Sequence, residues 1–272
     1  MPERSNVIYC YDGSFDGLLC CVFESYDKNE LPSDVLTAYS PLPLLLPVRQ
    51  ITTIPERANR VFSSIPKKMG RAVLDFIKRA FLTCHPRRDI LILEFLRLGY
   101  SVGPTILNML TDKVVHELFA AVRHLEHEAH LYTGFVRFSD INGALAAQIE
   151  PKNNVLPIIT PHFCERFPEE QFLIYDKTHG LALLYAKHSW TLNSVEELSL
   201  PAPSEEEKRY RNLWRMFYHT IEIKERHNPR CRMGHMPKRY WGCMTEFSEE
   251  ESNSSSGFSK TQVPVEIAKP NI

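Results

Sequence analysis

The chain has 272 residues, of which 43% are hydrophobic and 24% are charged, which is typical of a globular protein with a substantial core. Its 32 lysines and arginines nearly balance its 33 acidic residues, so the net charge is −1 and a histone-like polycation is excluded. The N-terminus lacks the apolar stretch of a signal peptide, and the most apolar run, 41–48, is short and interrupted by prolines. We therefore expect a cytoplasmic protein with no membrane span and with free cysteines.

The predicted elements begin with a strand over residues 7–11, where apolar residues alternate, followed by the turn DGSFDG and an apolar helix over 18–26. A further strand is expected near 48–52. From residue 63 to 132 apolar residues recur at helical spacing, and this pattern predicts a block of helices over about 60–132.

After residue 133 the pattern changes to short apolar runs separated by turn clusters, which predicts a small antiparallel sheet over about 133–200. The runs lie at 135–138, 155–159, 172–175, 181–185 and 190–192. A helix is expected over 205–226, with one apolar face formed by Leu213, Trp214, Phe217 and Ile221.

The expected fold class is α+β, with a central helical block, a small antiparallel sheet and a basic C-terminal helix. These parts are expected to form one domain over 1–247, whose basic, aromatic-rich part covers about 203–247. Residues 248–272 are rich in serine and glutamate, a composition that predicts a disordered tail.

The first candidate site is the turn within YDGSFDGLLCC, residues 11–21. Asp12, Ser14 and Asp16 stand where an anion or a hydrated metal binds at a helix N-terminus. The alternative is an Asx turn in which Asp16 caps the helix. A calcium loop is excluded because its twelfth position is Phe23 instead of glutamate, and a Walker A loop because no Gly-Lys-Ser/Thr follows.

Three histidines lie within HLEHEAH, residues 124–130, without the HExxH spacing of a zinc site. Glu128 and His130 form a candidate acid–base pair, and the alternative is a solvated, charged helix end. The spacing of Cys231, His235 and Cys243 matches no zinc motif. No metal site is predicted, and no cofactor is evident.

Two arginines, Arg137 in FVRF and Arg166 in PHFCERF, lie between aromatic and apolar neighbours in the predicted sheet. Such arginines either pair with carboxylates such as Asp176 inside the fold or bind phosphate. His162 is either a partly buried histidine or a catalytic group.

Residues 208–243 carry ten lysines and arginines against two glutamates, a net charge of +8, and the rest of the chain carries −9. Aromatic residues are interleaved with these cations, the combination that nucleic-acid grooves use. The alternative is a solvated basic helix face with its aromatic residues in the core. In the nucleic-acid interpretation, phosphate contacts and base stacking come from Arg226, Arg230, Lys238, Arg239, Tyr240 and Trp241.

Five segments over about 7–246 resemble an uncharacterised bacterial family described as a probable DNA metabolism protein: YDGSFDGLL, EAHLYTGFVRF, PHFCERF, FLIYD and ERHNPRCRMGHMPKRYW. The resemblance implies a setting in DNA metabolism beside a radical SAM protein of DNA modification or repair. It implies no established reaction. The chain contains no CxxxCxxC motif, so it is not expected to be the radical enzyme itself.

Three functional hypotheses follow. The first is a DNA-binding accessory protein of a repair or modification system, working with a radical SAM partner. The second is an enzyme that processes a nucleotide or a nucleic acid, and the third is a protein-interaction scaffold. The candidate catalytic groups of the second are Asp12, Asp16, Glu128, His130, His162 and Asp176, with Ser14, Arg137 and Arg166 as phosphate contacts.

Overall fold

Helix α5 (Lys113–Phe135) runs through two apolar clusters of the interior. The structure is a computed structural model that describes residues 5–38 and 46–247, and the predicted tail lies outside these ranges. Val115 and Leu118 of α5 pack in the N-terminal cluster, whereas Leu125 and Tyr132 pack in the C-terminal cluster. One helix thus links the two cores.

The N-terminal part contains a three-stranded parallel sheet. Strand β1 (Ile8–Tyr11) lies between β2 (Asp34–Thr37) and β3 (Val48–Gln50), and α1 (Phe15–Asp27) follows β1. The predictions of β1, α1 and β3 are confirmed. The sequence analysis did not identify β2, a strand of four residues with one buried side chain, and did not foresee a parallel arrangement.

The predicted helical block is confirmed as α2 (Pro55–Met69), α3 (Arg71–Phe81), α4 (Arg88–Val102) and α5. Helices α2 and α3 show the apolar stripe of surface helices, while most residues of α4 are buried. Gly70 joins α2 to α3 with a φ of +90°, a backbone conformation that favours glycine.

One segment, Arg88–Asn108, is long and apolar enough to cross a membrane, with a mean hydropathy of 1.5. No such segment is expected from the uninterrupted apolar runs of the sequence, which are short. Of the tested window, 56% is buried inside the fold. A buried core helix has the same length and composition, so this segment is weak evidence for a membrane span.

The C-terminal part contains a five-stranded sheet in the order β4-β5-β6-β7-β8. The strands are β4 (Ser139–Ile141), β5 (Ala144–Ile149), β6 (Phe172–Asp176), β7 (Leu181–Ala186) and β8 (Ser189–Ser194). Neighbouring strands are antiparallel except β5 and β6, which are parallel. Helix α6 (Leu156–Arg166) makes the crossover between these two strands.

The prediction of a strand at 155–159 is therefore wrong. This run is the start of α6, and the PHFCERF motif continues on the same helix. A short apolar run has the same appearance in a buried strand and in a buried helix, so periodicity alone does not separate them. Pro157 in the first turn of α6 is the stronger signal, since proline suits the start of a helix.

Helix α7 (Glu205–Thr220) ends six residues before the predicted boundary at 226. It is followed by a 3-10 helix (Lys224–Arg226), by α8 (Pro229–His235) and by a last 3-10 helix (Lys238–Cys243). No residue of α7 is buried. The predicted apolar face is exposed, with Leu213 at 60% and Phe217 at 52%. A neighbouring face of α7 contacts the fold instead, through Arg211 to Ser139 and Arg215 to the carbonyl oxygen of Thr245.

Candidate nucleic-acid interface

The turn between β1 and α1 is held by its own hydrogen bonds. Asp12 Oδ1 accepts from the Ser14 amide at 2.9 Å and from the Ser14 hydroxyl at 2.7 Å, and Asp12 Oδ2 accepts from the Thr53 hydroxyl at 2.7 Å. Burial opposes ionisation of Asp12, but these hydrogen bonds outweigh it and lower the pKa of this carboxyl. Ser14, not the predicted Asp16, caps α1 by accepting from the Gly17 amide.

Glu128 is 1% exposed, and its carboxylate accepts hydrogen bonds from a loop distant in the chain. The donors are the Lys152 amide at 3.1 Å, the Asn153 amide at 2.8 Å and the Asn153 side chain at 2.6 Å. Arg239 Nη1 lies 3.3 Å from Glu128 Oε1. His130 is exposed on another face of α5, so the predicted acid–base pair is not formed.

The remaining catalytic candidates lie apart from Glu128. Asp176, fully buried at the end of β6, accepts from His179 Nδ1 at 2.7 Å and from two backbone amides, instead of pairing with an arginine. His162 is exposed on α6, with its ring edge-to-face against Phe163. Across 5–38 and 46–247, the six candidate groups do not converge on one site.

Two aromatic residues that the sequence analysis assigned to base stacking have partners within the protein. Tyr240 is 1% exposed and packs against Tyr132 and Phe135, with ring centroids 5.0 and 5.2 Å away. Trp241 stacks on Phe247 at 4.5 Å, and its indole N–H donates to a backbone carbonyl. Burial makes the ring of Tyr240 inaccessible to a base.

The cationic candidates of the C-terminal segment differ in their surroundings. Arg226 and Arg230 are exposed, and neither has a carboxylate partner in the described part of the chain. The Lys238 ammonium lies 5.7 Å from the centre of the Trp241 ring. Arg239 donates to Tyr240 and pairs with Glu128, so it holds the C-terminal segment against α5.

A cleft of about 690 Å³ brings together residues from several parts of the C-terminal half. We call it the α6–α7 cleft. One wall is the end of α6 and a second wall is α7, and the remaining lining residues come from the end of α5 and the segment after it, from β5 and from Thr245. Its charged and aromatic lining residues are Arg137, Phe138, Phe163, Arg166, Phe167, Glu207, Tyr210, Arg211 and Trp214.

Three guanidinium groups face two carboxylates around the α6–α7 cleft. Arg137 donates to Glu246 at 2.9 Å, and Arg211 donates to Glu207 at 2.8 Å. Arg166 has no carboxylate partner among the described residues, and its guanidinium lies 5.6 Å from the centre of the Phe167 ring. The cleft therefore carries an excess positive charge on Arg166, which is available to an anion.

The aromatic residues of the α6–α7 cleft come from the segment after α5, from the end of α6 and from α7. Phe138 contacts Phe163 and Phe167 edge-to-face, with centroids 5.5 and 5.4 Å away. On α7, the side chains of Tyr210 and Trp214 are exposed. The Trp214 indole N–H donates to Glu246 Oε2 at 3.1 Å, and this bond orients the ring.

The sequence analysis named two residues of this cleft, Arg137 and Arg166, and the structure brings them together. Tyr210, Arg211 and Trp214 were not assigned to a site; Tyr210 and Trp214 were counted among the aromatic residues interleaved with cations, and the alternative interpretation placed Trp214 in the core. The available signal was the alternation of cations and aromatic residues in KRYRNLWR, residues 208–215. That pattern does not show which face of α7 meets α6.

No group of three or more histidine, cysteine, aspartate or glutamate side chains is placed to hold a metal ion in the described ranges.

A family model described as a domain of unknown function, DUF4130, matches residues 86–246. The match contains every residue that lines the α6–α7 cleft. No curated protein and no solved structure gives a significant match to the chain.

Proposed function

Since the chain belongs to the DUF4130 family, a family of unknown function, we propose that it is a DNA-binding accessory protein and that its α6–α7 cleft is the DNA-binding site. The observation that carries this proposal is the convergence of Arg137, Arg166 and Arg211 with exposed aromatic side chains in one concave surface. Guanidinium groups bind phosphate through paired N–H donors, while aromatic rings stack on bases. The cleft supplies both kinds of contact.

The charge distribution supports the same proposal. Most of helix α7 lies in the first part of segment 208–243, which carries a net charge of +8 in a chain of net charge −1. Arg226, Arg230 and Lys238 are exposed in the part of this segment that follows α7. They provide sequence-independent contacts to phosphates outside the cleft, which raise the association rate and make binding sensitive to salt.

Arg166→Ala is expected to weaken DNA binding about three- to tenfold at low salt, because it removes the unpaired guanidinium of the cleft. The dependence of log K on log salt concentration should also become shallower by about 0.7 to 0.9, the contribution of one phosphate contact. Fluorescence anisotropy with a labelled oligonucleotide measures both quantities.

Arg123→Ala is the matched control, because Arg123 is exposed on α5 and does not line the cleft. It should leave both the affinity and the salt dependence unchanged. Equal losses from the two substitutions would show that the cleft contributes only general positive charge, and the site assignment would then fail.

We also propose that the protein works in DNA repair or modification with a radical SAM partner. The support is the resemblance carried by GFVRF, PHFCERF and the basic C-terminal motif. Co-expression of the two chains is expected to yield a complex that survives affinity purification of either one. Separate elution of the two proteins at physiological salt would contradict this partnership while leaving DNA binding by the cleft intact.

A further inference from the structure

The shape of the α6–α7 cleft restricts the form of DNA that it accepts. Phe138 and Phe167 line this concave surface between α6 and α7, and each is only partly exposed. Proteins that read duplex DNA insert a projecting helix or ribbon into a groove about 12 Å wide. A concave surface lined by aromatic side chains does not project into such a groove.

The exposed aromatic residues of α7 extend the same surface. Tyr210 is 62% exposed and Trp214 is 41% exposed, and both line the cleft, so both present ring area to a ligand there. In duplex DNA the faces of the bases are covered by their neighbours in the stack, and only base edges are accessible in the grooves. Aromatic faces in a concave surface do not project as wedges between the base steps of a duplex, so they stack on bases that are unpaired.

We infer that the α6–α7 cleft binds single-stranded DNA, with unpaired bases against its aromatic residues and the backbone phosphates at Arg166 and Arg211. This inference rests on the proposed function and specifies its ligand. Arg166 comes from the α6 wall and Arg211 from the α7 wall, so a strand that enters the cleft meets a cation on each side. Stacking on aromatic rings tolerates every base, so binding is expected to show little sequence preference.

The test compares a labelled single strand of about 12 nucleotides with the duplex of the same sequence, both titrated with the full chain at low salt. The single strand is expected to bind at least about tenfold more tightly than the duplex. Tyr210→Ala and Trp214→Ala are each expected to weaken single-strand binding about 5- to 100-fold, the effect of losing one stacked base. Neither substitution should weaken duplex binding.

Two further variants separate stacking from a structural role. Trp190→Ala removes a tryptophan that is 52% exposed on β8 and does not line the cleft, and it should change nothing. Trp214→Phe keeps an aromatic ring but loses the hydrogen bond to Glu246, and it should retain most of the affinity. If Trp214→Phe lost as much affinity as Trp214→Ala, the role of Trp214 would be to position Glu246, and stacking at this residue would be refuted.

The outcomes distinguish this inference from the function on which it rests. Equal affinity for the single strand and the duplex, with Tyr210→Ala and Trp214→Ala without effect, would overturn the single-strand inference and leave DNA binding in place. Failure of both DNA forms to bind at low salt would overturn the proposed function itself.

Discussion

Glu128→Ala is expected to lower the free energy of unfolding by about 3 kcal/mol. The carboxylate of Glu128 accepts from the Lys152 amide and twice from Asn153, and it faces the Arg239 guanidinium at 3.3 Å. Its removal leaves buried N–H donors without an acceptor and a guanidinium without its counter-ion. Urea denaturation, with midpoint and slope compared with those of the unmodified chain, measures the loss.

Glu126→Ala is the matched control on the same helix. Glu126 pairs with Arg79 at 2.9 Å, but about half of each side chain is exposed. Such surface ion pairs stabilise by less than about 1 kcal/mol, because water solvates both charges when the pair is broken. Similar losses for the two variants would contradict a structural role for Glu128. If Glu128→Ala left the denaturation midpoint unchanged but abolished an activity on a nucleotide or nucleic acid, a catalytic role for Glu128 would be supported instead.

Tyr240→Ala is expected to lower the free energy of unfolding by about 3 to 5 kcal/mol, because it leaves a cavity in the C-terminal core. The ring of Tyr240 contacts Tyr132 and Phe135, and its hydroxyl accepts from Arg239. The substitution therefore removes the residue that packs the last 3-10 helix against α5. Thermal and urea denaturation give the size of the effect.

Tyr210→Ala provides the comparison, since the same chemical change is made at an exposed position. Its effect on stability should remain within about 0.5 kcal/mol, because no core contact is lost. The sequence analysis assigned base stacking to Tyr240, whereas in the structure Tyr240 is buried in the core and Tyr210 is exposed in the cleft. If the Tyr240→Ala variant were as stable as the unmodified chain but bound DNA more weakly, base stacking by Tyr240 would be supported and its packing role in the core would be contradicted.

The local patterns of the sequence were sufficient for much of the fold. Alternation over residues 7–11 and helical spacing over 63–132 correspond to β1 and to helices α2 to α5. The failures are at β2, α6 and α7, and β2 has only four residues with one buried side chain. The run at 155–159 is too short for its periodicity to separate helix from strand, and the apolar stripe of α7 implies burial that the structure does not provide.

The candidate site was harder to predict because its determinants are contacts between distant residues. In the sequence, Arg239 is one of several neighbouring cations, and nothing near it in the chain indicates that it pairs with Glu128 on α5. Arg137 and Arg166 were identified by their aromatic neighbours, whereas the wall that completes their cleft depends on how α7 lies against β4 and Thr245. Composition indicated which segment to propose for nucleic-acid binding, but not which of its aromatic residues are exposed.

The salt dependence of single-stranded DNA binding by the unmodified chain tests the central claim most directly. If Arg166 and Arg211 in the cleft and the three exposed cations outside it (Arg226, Arg230 and Lys238) each contact one phosphate, log K should fall with log salt concentration with a slope of about −3.5, since each contact to a single strand contributes about −0.7. Measurable binding at low salt with this slope is the expected result. The absence of binding at low salt, or a slope near zero, would contradict the assignment of the α6–α7 cleft as a DNA-binding site.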